Sequence, residues 1–119
     1  MKIEKFEDIN AWQKARILTK QVYRLTRKAK FSKDFGLKDQ IQRAAVSIMS
    51  NIAEGFDSNR NKEFTKFLEY AKRSASEVQS ELYVALDQNY INQKEFTSCY
   101  EQAEEGKRLI VGFIKYLSK

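Results

Sequence analysis

The stretch Leu37-Lys-Asp-Gln-Ile-Gln-Arg-Ala-Ala-Val-Ser-Ile-Met-Ser-Asn-Ile52 carries an apolar side chain at every third or fourth position. This spacing places the apolar side chains on one face of an α-helix. Asp34 is a suitable N-cap before the stretch, and Gly55 is a suitable left-handed stop after it. The heptad-like repeat is typical of helices that pack antiparallel at a shallow angle in a bundle.

Similar patterns on both sides of this stretch predict three further helices, and no strand alternation competes with them. The first helix is predicted to begin after Asp8, its N-cap, and to run to about Lys30. The third is predicted over residues 61–88, and the fourth is predicted to begin near Asn92. The chain has no proline and only four glycines, and the predicted connections are short, which makes consecutive helices antiparallel neighbours. We therefore predict an all-α fold, an antiparallel up-and-down four-helix bundle, with residues 1–119 as a single domain.

The chain has few of the residue types that commonly act in catalysis or bind metals. The chain has no histidine, which is the commonest general base and metal ligand, and it has one cysteine. Cys99 has no histidine to activate it and is expected to be a buried structural residue. The four glycines are scattered singly and form no phosphate-binding loop. We predict a protein that is not an enzyme and that uses no cofactor and no metal.

Hydropathy and the number of cysteines indicate where in the cell the protein is expected. No apolar run approaches the roughly 20 residues that a membrane span needs, and the first residues lack the apolar core of a signal peptide. A single cysteine fits a reducing compartment. We expect a cytoplasmic protein that does not contact a membrane.

The positive charge is concentrated at the start of the chain. The formal net charge is +6, and residues 1–30 hold nine basic and only three acidic side chains. Five basic residues of the predicted first helix fall within an arc of about 120°, opposite its apolar stripe, at 100° per residue. They are Arg16, Lys20, Arg24, Arg27 and Lys30. A basic surface of this kind attracts nucleic acid or an anionic membrane face, although many solvated helices carry one too.

Apolar and aromatic positions extend beyond the main stripes of the first two helices. Ile9, Trp12 and Tyr23 fall in the sector of the basic residues, and Met49 lies beside the stripe of the second helix. These additional apolar side chains can be buried in two ways. Either the core is wide, with Trp12 closing one end of the bundle, or the protein self-associates. We favour an oligomer interface that includes Trp12, Tyr23 and Met49.

Several segments are similar to one protein family. They are Phe6-Glu-Asp-Ile-Asn-Ala-Trp12, Gln40-Ile-Gln-Arg43-Ala-Ala-Val-Ser47, Ser50-Asn51-Ile-Ala-Glu54-Gly55 and Lys62-Glu-Phe-Thr-Lys-Phe-Leu-Glu-Tyr-Ala71. Together they make the chain resemble the 23S ribosomal RNA intervening-sequence protein family, also called four-helix bundle proteins. The resemblance implies a four-helix bundle that assembles into a homopentamer, from bacterial genes found in such intervening sequences. It also implies kinship to the accessory protein of diversity-generating retroelements, which binds reverse transcriptase and nucleic acid, but it implies no established activity.

The signature residues of the second helix need a physical interpretation of their own. They are Gln40, Arg43, Asn51, Glu54 and Gly55. Arg43 and Glu54 are about 16 Å apart along a helix and cannot pair with each other, so we expect each to pair with another helix or subunit. Asn51 and Glu54 are placed to bond backbone groups of the loop over residues 55–61. A structural or interface role is the preferred interpretation, and direct ligand contact is the alternative.

These observations lead to two functional hypotheses of different classes. The first is a homo-oligomer without catalytic activity that binds RNA or DNA through the basic face of its first helix. The alternative is a protein–protein adaptor or scaffold ring without a direct nucleic-acid role, whose positive charge complements an acidic partner.

Overall fold

The computed structural model describes residues 2–119 and consists mainly of four α-helices. They are α1 (Asn10–Thr26), α2 (Phe35–Asp57), α3 (Asn61–Asp87) and α4 (Gln93–Leu117). Single-turn 3₁₀ helices, Phe6–Asp8 and Phe31–Lys33, precede α1 and α2. The described residues include no strand, and they form an elongated body of 45 × 22 × 19 Å. The predicted all-α four-helix bundle is confirmed.

Side-chain contacts give the directions of the helices. Between α2 and α3, Ser74 Oγ donates to Ser47 Oγ at 3.0 Å, and Gly55 lies against Phe64 near the start of α3. Low numbers on one helix therefore face high numbers on the next, as antiparallel neighbours require. Between α1 and α4, Lys14 contacts Gln102 and Gln21 contacts Ser98, which also makes this pair antiparallel.

The predicted apolar stripes form one core. All five stripe positions of α2 are buried, and so are the seven predicted stripe positions of α3. The α3 stripe consists of Phe64, Leu68, Ala71, Ala75, Val78, Leu82 and Ala85. Cys99 is also fully buried, as expected. Burial of these side chains supplies the main stabilisation of helices whose intrinsic propensities are modest.

Of the two predicted N-caps, Asp34 is confirmed and Asp8 is not. The Asp34 carboxylate accepts from the Leu37 amide at 3.1 Å, and Asn92 forms a reciprocal capping box with Glu95. Asp8, however, is not the N-cap of α1. Its carboxylate accepts from the amides of Glu4 and Lys5 and closes the preceding 3₁₀ turn, while Ile9 is the N-cap and is fully buried. Ile9 therefore does not belong to the exposed basic sector.

The first helix ends four residues earlier than predicted. It stops at Thr26, and Lys30 lies in the turn that follows. Burial of Phe31 explains the difference, because this ring is fully buried and stacks on Tyr90 at 5.3 Å. The 3₁₀ turn over Phe31–Lys33 places the Phe31 ring in this buried position against Tyr90.

The prediction that Gly55 ends α2 in a left-handed conformation is wrong. The helix continues to Asp57, and no described glycine has a positive φ. Asn59 takes the left-handed conformation instead, with φ of 60°. Gly55 is needed for a close approach: a Cβ atom there would lie 2.7 Å from Phe64 Cδ1 and 2.9 Å from Phe67 Cβ.

Over residues 2–119, no helix combines the length and apolar character that crossing a membrane requires.

Candidate nucleic-acid interface

A surface groove runs along α1 where it borders α2. Its lining includes four of the five predicted basic residues, and its volume is about 480 Å³. The lining residues are Arg16, Thr19, Lys20, Tyr23, Arg24, Arg27 and Met49. The four cations are exposed, whereas Tyr23 and Met49 are half-buried between the helices. The groove thus combines a partly apolar floor with a strongly basic rim.

Lys30 does not join this groove. It is exposed, but it lies in the turn after α1 and is not part of the groove lining. The prediction of a five-residue basic face on one helix is therefore wrong for Lys30, because the chain leaves the helix at Thr26 in order to bury Phe31.

The cations of the groove differ in their partners from Lys14 of α1 and from Lys28 in the turn after α1. Lys14 Nζ lies 3.6 Å from Glu105 Oε1, and Lys28 Nζ lies 2.9 Å from Glu95 Oε2, both across the contact with α4. Within residues 2–119, Arg16, Lys20, Arg24 and Arg27 have no carboxylate within 4.0 Å. Their charge is not neutralised inside the subunit and is available to an anionic ligand.

Polar contacts at the α1–α2 boundary hold the groove in place. Thr19 Oγ1 lies within hydrogen-bond distance of two carbonyl oxygens, Ala15 O at 2.8 Å and Ala45 O at 3.2 Å. The Gln42 carboxamide donates to Thr26 Oγ1 at 3.0 Å. These contacts fix α1 against α2 on the side where Tyr23 and Met49 lie, and they therefore position the rim of cations above a stable floor.

The residues predicted to form an oligomer interface do not all lie together. Tyr23 and Met49 share the groove, whereas Trp12 is half-buried and packs edge-on against Phe6, with ring centroids 5.1 Å apart. Trp12 thus contributes to a local aromatic contact near the start of α1. Each of the three keeps part of its surface exposed, and their role in self-association stays a prediction.

The signature residues of α2 make fewer long-range contacts than expected. Arg43 Nε pairs with Asp39 Oδ2 at 2.8 Å on its own helix, so no other helix of this subunit is its partner. The Asn51 carboxamide donates to Ser47 O and Ser47 Oγ, one turn earlier, and not to the loop over residues 55–61. Glu54 and Gln40 are exposed, and neither has a hydrogen bond to another side chain in the described structure.

Asn51 and Gly55 nevertheless act together at the α2–α3 contact. Asn51 bonds Ser47, and Ser47 Oγ accepts from Ser74 of α3, so a short polar chain joins the two helices. Gly55 lets α3 approach at the other end of the same contact. These contacts place Asn51 and Gly55 in the packing of α2 against α3, and a structural or interface role for the signature residues stays a prediction.

Burial determines the protonation state of the one cysteine. Burial raises the pKa of the Cys99 thiol to about 12, so the nucleophilic thiolate does not form at neutral pH. Among residues 2–119, no group of three or more histidine, cysteine, aspartate or glutamate side chains is placed to hold a metal ion.

Among residues 2–119, Glu81 on α3 is the one carboxylate with a large pKa shift. Desolvation by burial, assisted by the nearby charge of Glu77, raises its pKa to about 7. Its Oε1 atom is buried and accepts no hydrogen bond. Sequence reasoning gave no sign of this residue, because an isolated glutamate on a long helix has the same pattern as a solvated one.

A second concave surface also escaped sequence reasoning. It lies where α2 ends, α3 begins and α4 ends, and it has a volume of about 360 Å³. Four aromatic residues from separate parts of the chain line it, namely Phe56, Phe64, Phe113 and Tyr116. The helical period places each ring on a face of its own helix, but only the packing of three helix ends brings the rings together.

Comparisons with known proteins agree with this architecture. Residues 7–112 match the family model described as 23S rRNA-intervening sequence protein. A search of curated proteins gave no match. The chain is similar in structure to a protein of unknown function from the S23 ribosomal protein family of Bacteroides thetaiotaomicron. The TM-score is 0.82 at 24% identity, over 88% of this chain and 98% of that one, a likeness that concerns the fold. Since the family model spans most of the chain, this protein belongs to the 23S rRNA-intervening sequence protein family.

Proposed function

We propose that this protein is a homo-oligomeric bundle without catalytic activity that binds RNA or DNA through the groove along α1. The observation that carries the proposal is the set of four cations, Arg16, Lys20, Arg24 and Arg27, which line one groove and have no acidic partner within the described chain. A cation that is already paired gains little from a phosphate, whereas an unpaired one releases the counterions that the phosphate had condensed.

The composition of the groove favours nucleic acid over a merely solvated face. Arginine guanidinium groups bind phosphate oxygens in a bidentate manner, and three of the four cations are arginines. Tyr23 offers a partly exposed ring on which an unpaired base can stack. A solubilising face needs neither an aromatic floor nor a concave shape.

Self-association would multiply this groove. The monomer exposes several large apolar side chains, among them Phe35 at 77% and Ile17 at 50%, which a partner copy would cover. A ring of copies, a pentamer according to the family resemblance, would present repeated grooves to one strand and raise the apparent affinity by avidity. Size-exclusion chromatography with light scattering measures the number of copies directly, and a monomer at micromolar concentration would contradict this part of the proposal.

The nucleic-acid part is tested by fluorescence anisotropy with labelled single-stranded RNA and duplex DNA over a salt series. If the four cations contact phosphates, log K falls with log salt at a slope of about −2.8 for single-stranded RNA and about −3.6 for duplex DNA. The double variant Arg24→Glu plus Arg27→Glu should abolish binding at moderate salt without changing the number of copies.

A matched control changes the net charge by the same amount as Arg24→Glu plus Arg27→Glu, but at positions outside the groove. Lys66 and Arg73 are exposed cations of α3, and Lys66→Glu plus Arg73→Glu should retain most of the binding. Equal losses in both double variants would show that net charge, not the groove, attracts the ligand. No binding at low salt would contradict the nucleic-acid proposal and leave the adaptor hypothesis, to be pursued by partner capture.

A further inference from the structure

The cavity at the far end of the bundle from Tyr83 and Phe96 has the size of a small-molecule site. Its volume of about 360 Å³ falls within the range of about 300–1,000 Å³ that is common for ligand pockets. Its lining residues are Lys2, Ile3, Phe56, Asn59, Arg60, Asn61, Phe64, Phe113, Tyr116 and Leu117. We call it the end cavity. None of its lining residues is acidic.

One part of the end cavity is aromatic. Phe64 is buried and contacts two other rings, Phe113 at 5.2 Å and Phe56 at 6.3 Å between centroids. Tyr116 packs edge-on against Phe113 at 5.7 Å and is 65% exposed. The buried ring anchors the cluster, and the exposed tyrosine leaves aromatic surface available to a flat ligand ring.

The rest of the end cavity is polar and positively charged. Lys2 and Arg60 line it, and neither has a carboxylate within 4.0 Å in residues 2–119. Asn59 and Asn61 add two carboxamides that both donate and accept hydrogen bonds. Asn61 also lies 3.4 Å from Leu117 O, which ties the start of α3 to the end of α4.

The start of α3 adds to the positive potential of this region. Its N-cap residue is Arg60, which gives no side-chain hydrogen bond to the first turn. In α2 and α4 the equivalent positions are filled by Asp34 and Asn92, whose side chains accept from first-turn amides. The first-turn amides of α3 thus have no side-chain cap, and this turn, which also contains Glu63, lies beside Arg60 at the edge of a cavity lined by aromatic and cationic groups.

We propose that the end cavity binds a nucleoside monophosphate unit. The base lies against the aromatic residues, with Tyr116 as its most accessible stacking surface, and the carboxamides of Asn59 and Asn61 bond its polar edge. The phosphate is held by Arg60 and Lys2 near the first turn of α3. A free nucleotide and the terminal nucleotide of a strand share this chemistry. The site is separate from the groove along α1, and the proposal does not depend on that groove.

Ligands that carry only the base or only the phosphate test the aromatic and the cationic parts of the end cavity separately. Isothermal titration calorimetry or NMR titration of the full chain with AMP, GMP, CMP and UMP should detect binding. AMP should bind about tenfold or more tightly than adenosine or inorganic phosphate, because only AMP uses both the aromatic and the cationic parts. Inorganic phosphate binding as tightly as AMP would reduce the cavity to a nonspecific anion site and overturn the proposal. Binding of an acidic aromatic peptide without any binding of nucleotides would overturn it as well.

Two variants test the proposed roles of Arg60 in phosphate binding and of Tyr116 in base stacking. Arg60→Gln should weaken AMP at least several-fold and leave adenosine unchanged, whereas Tyr116→Ala should weaken both. Both side chains are exposed, so the fold should survive, and circular dichroism checks this. Tyr83→Ala, an exposed tyrosine at the opposite end, is the matched control and should not change the affinity. Full AMP affinity in both test variants would place the nucleotide elsewhere and overturn the proposal.

The source of the nucleotide is resolved by comparing AMP with a 5′-phosphorylated dinucleotide. Tighter binding of the dinucleotide assigns the site to strand ends, and binding of AMP alone assigns it to free nucleotides. Either result supports the shared chemistry. The variant Arg24→Glu plus Arg27→Glu should bind AMP normally, so loss of the groove function and loss of the end-cavity function can be told apart.

Discussion

The contact between α2 and α3 is close and nearly uncharged, whereas the outer face of α1 is open and carries unpaired cations. Gly55 allows the rings at the start of α3 to approach its backbone, and Ser47 bonds Ser74 across the contact. The four groove cations have no carboxylate within 4.0 Å in residues 2–119. The more distinctive part of the family signature, Asn51 to Gly55, lies at the α2–α3 contact. Gln40, Arg43 and Glu54, the other signature residues, are exposed.

The largest expected effect comes from closing the gap at Gly55. Gly55→Ala places a Cβ atom 2.7 Å from Phe64 Cδ1 and 2.9 Å from Phe67 Cβ. Although alanine normally stabilises a helix relative to glycine by about 0.5–1 kcal/mol, overpacking should dominate. We expect a net loss of about 1–3 kcal/mol in the free energy of unfolding, measured by urea denaturation.

The helix glycine Gly112 provides the matched control. A Cβ atom there meets no heavy atom within 4 Å, and the residue is exposed. Gly112→Ala should therefore stabilise the protein by about 0.5–1 kcal/mol. Equal stability of Gly55→Ala and the wild type would refute the close-approach explanation and reopen the question of why the signature contains a glycine.

Glu81 of α3 is a partly buried carboxylate. It lies two turns beyond Ser74 on the same side of α3, and its pKa is raised from 4.5 to about 7 by burial and by Glu77. The folded state thus favours the protonated form. The stability that this residue contributes is fully present below pH 4.5, and it is lost as the pH rises from 4.5 to 7.

Glu81→Gln should remove this pH dependence. Since the side chain is partly exposed, solvent screening reduces the effect, and we expect the variant to be more stable than the wild type by about 1 kcal/mol at pH 8 and equally stable at pH 4.5. Thermal unfolding at both pH values measures the difference. Glu101→Gln, at an exposed position of α4, should change stability by less than about 0.5 kcal/mol at either pH. A Glu81→Gln variant with the wild-type pH profile would contradict the assignment.

The core could be predicted from the sequence because helical periodicity is a local property. The stripes of α2 and α3 are buried at every predicted position, and the caps Asp34 and Asn92 depend only on residues within one turn. The end of α1 could not be predicted, because it depends on Phe31 stacking on Tyr90, 59 positions later. Gly55 was misinterpreted for the same reason, since its neighbours Phe64 and Phe67 belong to another helix.

The candidate sites were predictable only in part. Helical geometry placed Arg16, Lys20, Arg24 and Arg27 on one face, but it gave no information on whether they were paired. That depends on the register of α4, which brings Glu95 and Glu105 to Lys28 and Lys14. The end cavity is formed by three helix ends, and nothing within one segment indicates it.

The smallest effects distinguish Lys28, a paired cation in the turn after α1, from Lys20, an unpaired cation of α1. Lys28→Gln should lower the free energy of unfolding by only about 0.2–0.5 kcal/mol, because the pair with Glu95 is exposed and Glu95 keeps its bond from the Asn92 amide. Lys20→Gln should leave stability unchanged but lower the magnitude of the salt slope by about 0.7–0.9, the contribution of one phosphate contact. Anisotropy titrations at several salt concentrations, with urea denaturation of the same samples, measure both quantities. If the two variants reduce the salt slope equally, pairing within the subunit does not decide which cations meet the ligand, and the contrast between the two sides of α1 fails.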